Sequence, residues 1–405
     1  MSGILDALSP TTIANYARGA WDGVSLNAWF FKEMKSKGVF QYDTGGDTLS
    51  GPVEAGRYLP QTSAPGMDIS SMFVPKVRHA RWNFAWAEKI NALTIDRGLL
   101  RRNSGDQALV RLRDTEIPAL FRDLLIAQSG LLSDILTQDG GAYTGSGLPV
   151  YGFPSFLRNV SDVANLNGLN PSLLGGNSIG TALTGAAAAV TDKEVCCVSQ
   201  TYGGLSLAPN GLTAVDGLQY DAWSPVMVNT GYNWGGGANA EAANIELWCQ
   251  HLINRMSRFG DNDPSQMPNL GLMDRVHYTY LGDKKSSRET VFVQATQTQP
   301  NVPDTGYQPV KGLYHAGVFW RWDALMAASS TIAGNSSKMK FYVQPLYKDQ
   351  DNSSPLKVAG EEAGIMETAI NFIPERRGYA VSATIPGQVV FEPRYWGCAR
   401  AYKTA

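Results

Sequence analysis

Between residues 106 and 138, Leu109, Leu112, Ile117, Leu120, Leu124, Ala127, Leu131 and Ile135 recur mostly every three or four positions, a pattern that constrains the fold more than any other part of this 405-residue chain. Such spacing lines one face of an α-helix with apolar side chains, and that face must be buried against something. Pro118 fits if a helical segment starts near Thr115, whose hydroxyl can cap it, with Glu116 and the proline in the first turn. The spacing predicts a continuous helix over 116–138, roughly 35 Å long. It stops at Asp139-Gly140-Gly141.

What precedes this helix is of a different kind. Residues 26–37 carry Leu26, Trp29, Phe30, Phe31 and Met34 without an internal Gly or Pro, which predicts a short helix after an extended arm. From Gly45-Gly46-Asp47 onward the composition shifts to Gly, Pro, Ser and Thr, and the stretch ends in the alternating run Arg81-Trp82-Asn83-Phe84-Ala85-Trp86. This predicts a long β-hairpin with an irregular tip containing Pro52, Pro60, Pro65 and Pro75. A lone two-stranded hairpin is marginally stable in water, so it needs a surface to lie on, and a neighbouring subunit would supply one.

Beyond Gly147 short strands alternate with Gly, Asn and Pro clusters, and no fixed-period repeat is present. A second helix is predicted over 238–259, with Ile245, Trp248, Leu252, Ile253 and Met256 on one face. The remainder reads as mostly β, including 275–281 and 387–391, and the fold class is α+β.

The motifs that would carry chemistry are weak. His79, His251, His277 and His315 are dispersed, and none has the HExxH spacing of a metalloprotease. Cys249 and His251 are two residues apart on a predicted helix and so point to different faces. Gly176-Asn177-Ser178-Ile179-Gly180 matches a nucleophile elbow in letters, but Asn170-Pro171-Ser172 upstream is loop-forming, not a strand. Gly282-Asp283-Lys284-Lys285-Ser286 lacks P-loop spacing, and Gly235-Gly236-Gly237 lacks that of a dinucleotide fold; both read as loops. Glu361-Glu362 together with Trp234, Trp320 and Trp396 would suit a carbohydrate-active protein, whereas packing in a core or interface is the commoner role of tryptophan. No catalytic residue, cofactor or metal is therefore expected.

Composition narrows the partners. Lys+Arg 34 against Asp+Glu 36 gives a net charge of -2, which disfavours binding driven by phosphate contacts. Charged residues form 17% of the chain, below the usual quarter, which implies that much of the surface lies against other protein. The four cysteines, Cys196, Cys197, Cys249 and Cys398, form neither a disulfide framework nor a CxxC pattern, consistent with a reducing site of synthesis. The first ten residues lack a secretory signal's basic and apolar regions, and no stretch approaches the ~18 apolar residues of a membrane span.

Arm, Gly-rich hairpin, long amphipathic helix and a β-rich domain, in that order, resemble the major capsid protein of tailed bacteriophages, the HK97-like fold. Shorter runs add to the resemblance: Gln200-Thr201-Tyr202-Gly203-Gly204-Leu205 followed by Tyr220-Asp221-Ala222-Trp223-Ser224-Pro225, and His315-Ala316-Gly317-Val318-Phe319-Trp320-Arg321-Trp322-Asp323. The resemblance implies an N-terminal arm over 1–45, an E-loop over 46–87, a P-domain with a spine helix over 88–145, a β-rich A-domain over 146–340, and C-terminal strands over 341–405. Residues 167–190 and 349–362 have no counterpart in it.

It further implies a non-enzymatic shell of hexamers and pentamers of this chain, enclosing double-stranded DNA without specific contacts, located in the virion and synthesised in the host cytoplasm. A scaffolding protein, a portal and a decoration protein would be its partners. Arg57, Tyr58 and Arg78 are expected at intersubunit contacts, because long amphipathic and aromatic side chains suit interface centres. Gly45, Gly46, Gly51, Gly56 and Gly66 are expected as hinges that let one chain occupy non-identical positions. An encapsulin-like compartment protein and a carbohydrate-binding β protein are the competing readings.

Overall fold

The computed structural model describes residues 30, 34, 39–42, 47–54, 79–96, 117–127, 130–142, 144, 148–157, 163–165, 194–197, 200–207, 223–232, 234, 240–257, 267–286, 312–343, 367–373 and 378–402. In chain order the strands and α-helices are β1 (Phe40–Tyr42), β2 (Thr48–Glu54), β3 (His79–Ala85), β4 (Glu88–Asp96), α1 (Ile117–Leu125), α2 (Leu131–Thr137), β5 (Val163–Asn165), β6 (Glu194–Cys197), β7 (Thr201–Tyr202), β8 (Leu205–Ser206) and β9 (Val226–Asn229). There follow α3 (Ala240–Ala243), α4 (Ile245–Met256), β10 (Leu270–Met273), α5 (Arg275–Ser286), β11 (Leu313–His315), β12 (Val318–Trp322), β13 (Ser330–Gly334), β14 (Met339–Val343), β15 (Glu367–Ile373), β16 (Gly378–Phe391) and β17 (Trp396–Arg400).

These elements group into two compact units, each drawn from three separated segments. The first takes Met1–Leu49, Phe84–Phe153 and Met339–Val390; the second takes Ser50–Asn83, Pro154–Lys338 and Phe391–Ala405.

In the first unit, β16 is the centre of a five-stranded sheet ordered β1-β14-β16-β15, with β4 also paired to β16. β1 and β14 run parallel, while β16 is antiparallel to both β15 and β4, with Val381 opposite Ile370 and Leu93. Helix α1 packs on β4, and the Asn91 amide donates to the Leu120 carbonyl. Leu120, Leu124, Leu125, Leu131, Leu132, Ile135 and Leu136 are all buried, so the apolar periodicity does mark the packed face.

The continuous helix expected over 116–138 is not what forms. Gly130 has extended backbone geometry (φ -77°, ψ 164°) and divides the stretch into α1 and α2. Its position explains the glycine: a β-carbon there would lie 2.6 Å from the Ile126 nitrogen and 2.8 Å from the Asp123 carbonyl oxygen. The chain turns too tightly against the end of α1 for any side chain to fit. Periodicity persists across the break because both short helices bury the same apolar series.

In the second unit, eight strands form a mixed sheet ordered β11-β12-β10-β13-β17-β9-β6-β5. Helix α4 covers one face through Ile245, Trp248, Cys249, Leu252, Ile253 and Met256, packed against Val226, Val228, Trp320, Ala333 and Ala399. Gly397 lies directly beneath α4, where a β-carbon would come within 2.8 Å of both Leu252 and Met256. Alternation along β17 sends Trp396 and Cys398 to the opposite face, where Trp396 meets Phe391 edge-on at 5.4 Å.

Two further expectations are corrected here. Residues 275–281, read as a strand, are helix α5, and Gly282 to Ser286, read as a loop, complete it. Asp274 decides the outcome: its carboxylate accepts from the backbone N–H groups of Val276 (3.2 Å) and His277 (3.0 Å), which caps a helix N-terminus. The helix expected over 238–259 forms over 240–256 with an interruption at Asn244.

Candidate functional site

The hairpin β2–β3 is a two-stranded sheet of its own, not hydrogen-bonded into either larger sheet. It closes on itself through the Arg81 guanidinium, which donates to the Ser50 hydroxyl, and through Trp82, which lies over Gly51. A β-carbon at Gly51 would fall within 2.7 Å of the Trp82 ring, so the glycine makes room for the indole. Near the hairpin's end, the Asn83 N–H donates to the carbonyl of Gly203 at 2.9 Å.

Of the residues singled out from the sequence, Gly51 lies in β2 as just described. Arg57, Tyr58 and Arg78, with Gly45, Gly46, Gly56 and Gly66, lie outside the described residues. So do Ser178 and the pair Glu361-Glu362.

The root of the hairpin is built by side-chain amides. Gln388 on β16 is fully buried, and its amide nitrogen donates to the carbonyls of Ala85 (3.0 Å) and Pro149 (2.9 Å). Its amide oxygen accepts from the Tyr151 and Val389 N–H groups at 3.0 and 3.1 Å. Gln138, capping α2, accepts from the Val150 N–H at 2.9 Å. The Tyr151 ring packs edge-on against Phe84 at 5.0 Å and covers Gly140. Neither glutamine belongs to a recognisable motif, and the sequence carried no signal for them.

The short runs quoted from the sequence do assemble into structure. Gly203 and Gly204 have φ of 60° and 78°, the left-handed pair that a two-residue β7–β8 hairpin turn requires. The Trp223 indole donates to the Tyr202 carbonyl at 3.1 Å, and the Tyr202 hydroxyl accepts from the Phe391 N–H. Ala316 and Gly317 likewise take positive φ between β11 and β12. Asp323 follows, and burial raises its pKa.

Two half-buried polar clusters hold helices to the large sheet. Glu194 on β6 faces His251 Nε2 at 2.5 Å and the Arg255 guanidinium at 2.7 Å, both from α4. Burial pushes the Glu194 carboxyl up, but the His251 hydrogen bond and the Arg255 charge outweigh it and hold the pKa below 4.5. His277, fully buried on α5, lies 2.8 Å from Glu241 Oε1 and 2.8 Å from the Thr331 hydroxyl. Its hydrogen bond lowers the Glu241 pKa against burial, assisted by the Thr230 hydroxyl.

These groups are engaged with one another. Among the described residues no group of three His, Cys, Asp or Glu is arranged to hold a metal ion. Burial raises the Cys249 thiol well above 9.0, which keeps it protonated and unreactive. Trp320 and Trp396 are fully buried, so they are packing residues and cannot stack on a sugar.

No protein-family model and no curated protein matches the sequence. Among solved structures, a chain of the cyanophage A-1(L) capsid asymmetric unit matches with a TM-score of 0.52 at 9% identity, covering 91% of this chain and 93% of that one. The chain shares the fold of that capsid chain. The capsid of cyanophage P-SCSP1u matches with a TM-score of 0.43 at 8% identity (89% and 85% covered). The holo-SrpI encapsulin complex of Synechococcus elongatus matches with a TM-score of 0.38 at 10% identity (90% and 87% covered). At these TM-scores the last two add nothing to the fold assignment.

Proposed function

We propose that this protein is the major capsid protein of a tailed bacteriophage, assembling as hexamers and pentamers into an icosahedral head around double-stranded DNA. The observation that carries the reading is the shared fold with the cyanophage A-1(L) capsid chain over nine-tenths of both chains. In this reading the first unit, with α1 and α2 in the place of a spine helix, is the P-domain. The eight-stranded sheet belongs to the A-domain, and β2–β3 is the E-loop on the arm formed by the first 45 residues. The protein acts as a structural component of the virion, made in the host cytoplasm, with scaffolding, portal and decoration proteins as partners.

The chemistry is consistent with this role. A separate two-stranded sheet gains its stability by lying on another surface, and the low charge suits extensive protein contact. Obligate interfaces of this type bury ~2,000–5,000 Å². Arg57, Tyr58 and Arg78 make the hairpin's contacts with the neighbouring subunit, and Gly45, Gly46, Gly51, Gly56 and Gly66 let it adapt to each position. DNA inside such a shell, whose subunit has a net charge of -2, is confined by the wall without being held by it.

Negative-stain electron microscopy and light scattering test the assignment, on protein expressed alone and with its neighbouring genes. Rings of five or six subunits, tubes or closed shells are expected; a persistent 43.8 kDa monomer in both preparations overturns it. In the double variant Arg57→Ala/Tyr58→Ala, we expect a folded chain that no longer forms shells. Normal particles from that variant would remove the hairpin residues from the contact.

A further inference from the structure

The Gln388 amide ties its own strand to two other segments at the root of the hairpin. All its bonds lie within the first unit: Ala85 ends β3, Pro149 and Tyr151 belong to the segment that follows α2, and Gln388 itself sits on the central strand β16. A buried primary amide offers two donors and an oxygen that accepts twice, and here every one of these is engaged. No other residue type of similar size matches two carbonyls and two N–H groups at once.

The partners extend the effect on both sides. Adjacent to Gln388, the Gly387 N–H donates to the Ala87 carbonyl at 2.8 Å, so consecutive residues of β16 hold both sides of the β3–β4 junction. On the other side, the segment 149–152 is fixed to α2 by the Gln138 bond to Val150. Gly152 is pressed so closely on the Asp134 and Ile135 carbonyls that no side chain would fit there. Helix α2, the 149–152 segment, β16 and the last residues of β3 therefore form one continuous hydrogen-bonded body.

We infer that Gln388 is a positioning clamp that fixes the root of the β2–β3 hairpin to the end of helix α2. With the clamp closed, Ala85 is held to the 149–151 segment and so to helix α2. The clamp itself is a property of the chain; its use in assembly rests on the capsid reading.

The test is hydrogen exchange on the full-length protein below the concentration at which it assembles, for wild type, Gln388→Leu and Gln388→Glu. The leucine removes all four bonds. The glutamate keeps the oxygen that accepts from Tyr151 but, carrying at most one proton, cannot donate to both Ala85 and Pro149. Expected are exchange rates about tenfold or more faster at Gly387 in both variants, and at Tyr151 in the leucine variant alone. Strands β10, β12 and β13 of the second unit should be unchanged. Unchanged exchange at Gly387 and Tyr151 in both variants overturns the clamp, as does an equal rise across both units. Particle formation of the wild type is scored separately by electron microscopy: unchanged exchange in the variants beside normal wild-type shells rejects the clamp and leaves the assembly assignment standing, and faster exchange in the variants beside a wild type that never assembles does the reverse.

Discussion

Glu194 bridges strand β6 and helix α4 with little exposure, and its pKa is held below its usual 4.5 by His251 and Arg255 despite burial. A carboxylate with a depressed folded-state pKa contributes stability that is fully present above its unfolded value and is lost as pH falls through the folded one. Unfolding curves taken from pH 6 downward should therefore steepen below about 4.5, with Glu241 adding to the same limb. In Glu194→Gln we expect a shallower acid limb and a loss of about 1–3 kcal/mol at neutral pH. At Gly271 the constraint is steric, because a β-carbon would lie 2.5–3.0 Å from three atoms of the buried Trp320 ring. That ring is pinned by its N–H bond to the His315 carbonyl. Gly271→Ala should destabilise the second unit by about 1–3 kcal/mol in urea unfolding followed by tryptophan fluorescence.

At the level of elements, the N-cap Asp274 carries more than its own helix. Besides capping α5, its carboxylate accepts from the Ser329 N–H at 2.8 Å, where φ is 50°, so one side chain stabilises a helix start and a strained turn before β13. Asp274→Ala should lower stability by about 2 kcal/mol and accelerate amide exchange at Val276, His277 and Ser329. The same residue explains why α5 was not legible as a helix: Val276, Tyr278 and Tyr280 alternate as in a strand, and a single capping aspartate overrides them. Helix α4 was legible because five apolar residues fall on one face without competition. The hairpin strands could be read from the alternation of Trp82 and Phe84, and the burial of both bears that pattern out. The break at Gly130 was hidden because apolar spacing reports burial and is blind to a change of direction. Gln138 and Gln388 were hidden for a related reason: their roles depend on partners up to 303 residues away, which no local pattern encodes.

For the whole molecule, the sequence indicated the mixed α and β class, while the division of each unit among distant segments emerged only with the strand pairings. β16 is the centre of the first unit's sheet, and β17 lies between β13 and β9 in the second. Both strands fall within residues 378–400, so nearly every other strand of each sheet is made before the one that completes it. A chain emerging from the ribosome at roughly 5–20 residues per second leaves β9 and β13 unjoined until β17 is made. Neither sheet can close until residues 378–400 have been made. Before then the strands on either side of β16 and of β17 have nothing to join them, so a single stretch of chain acts as the keystone of both sheets.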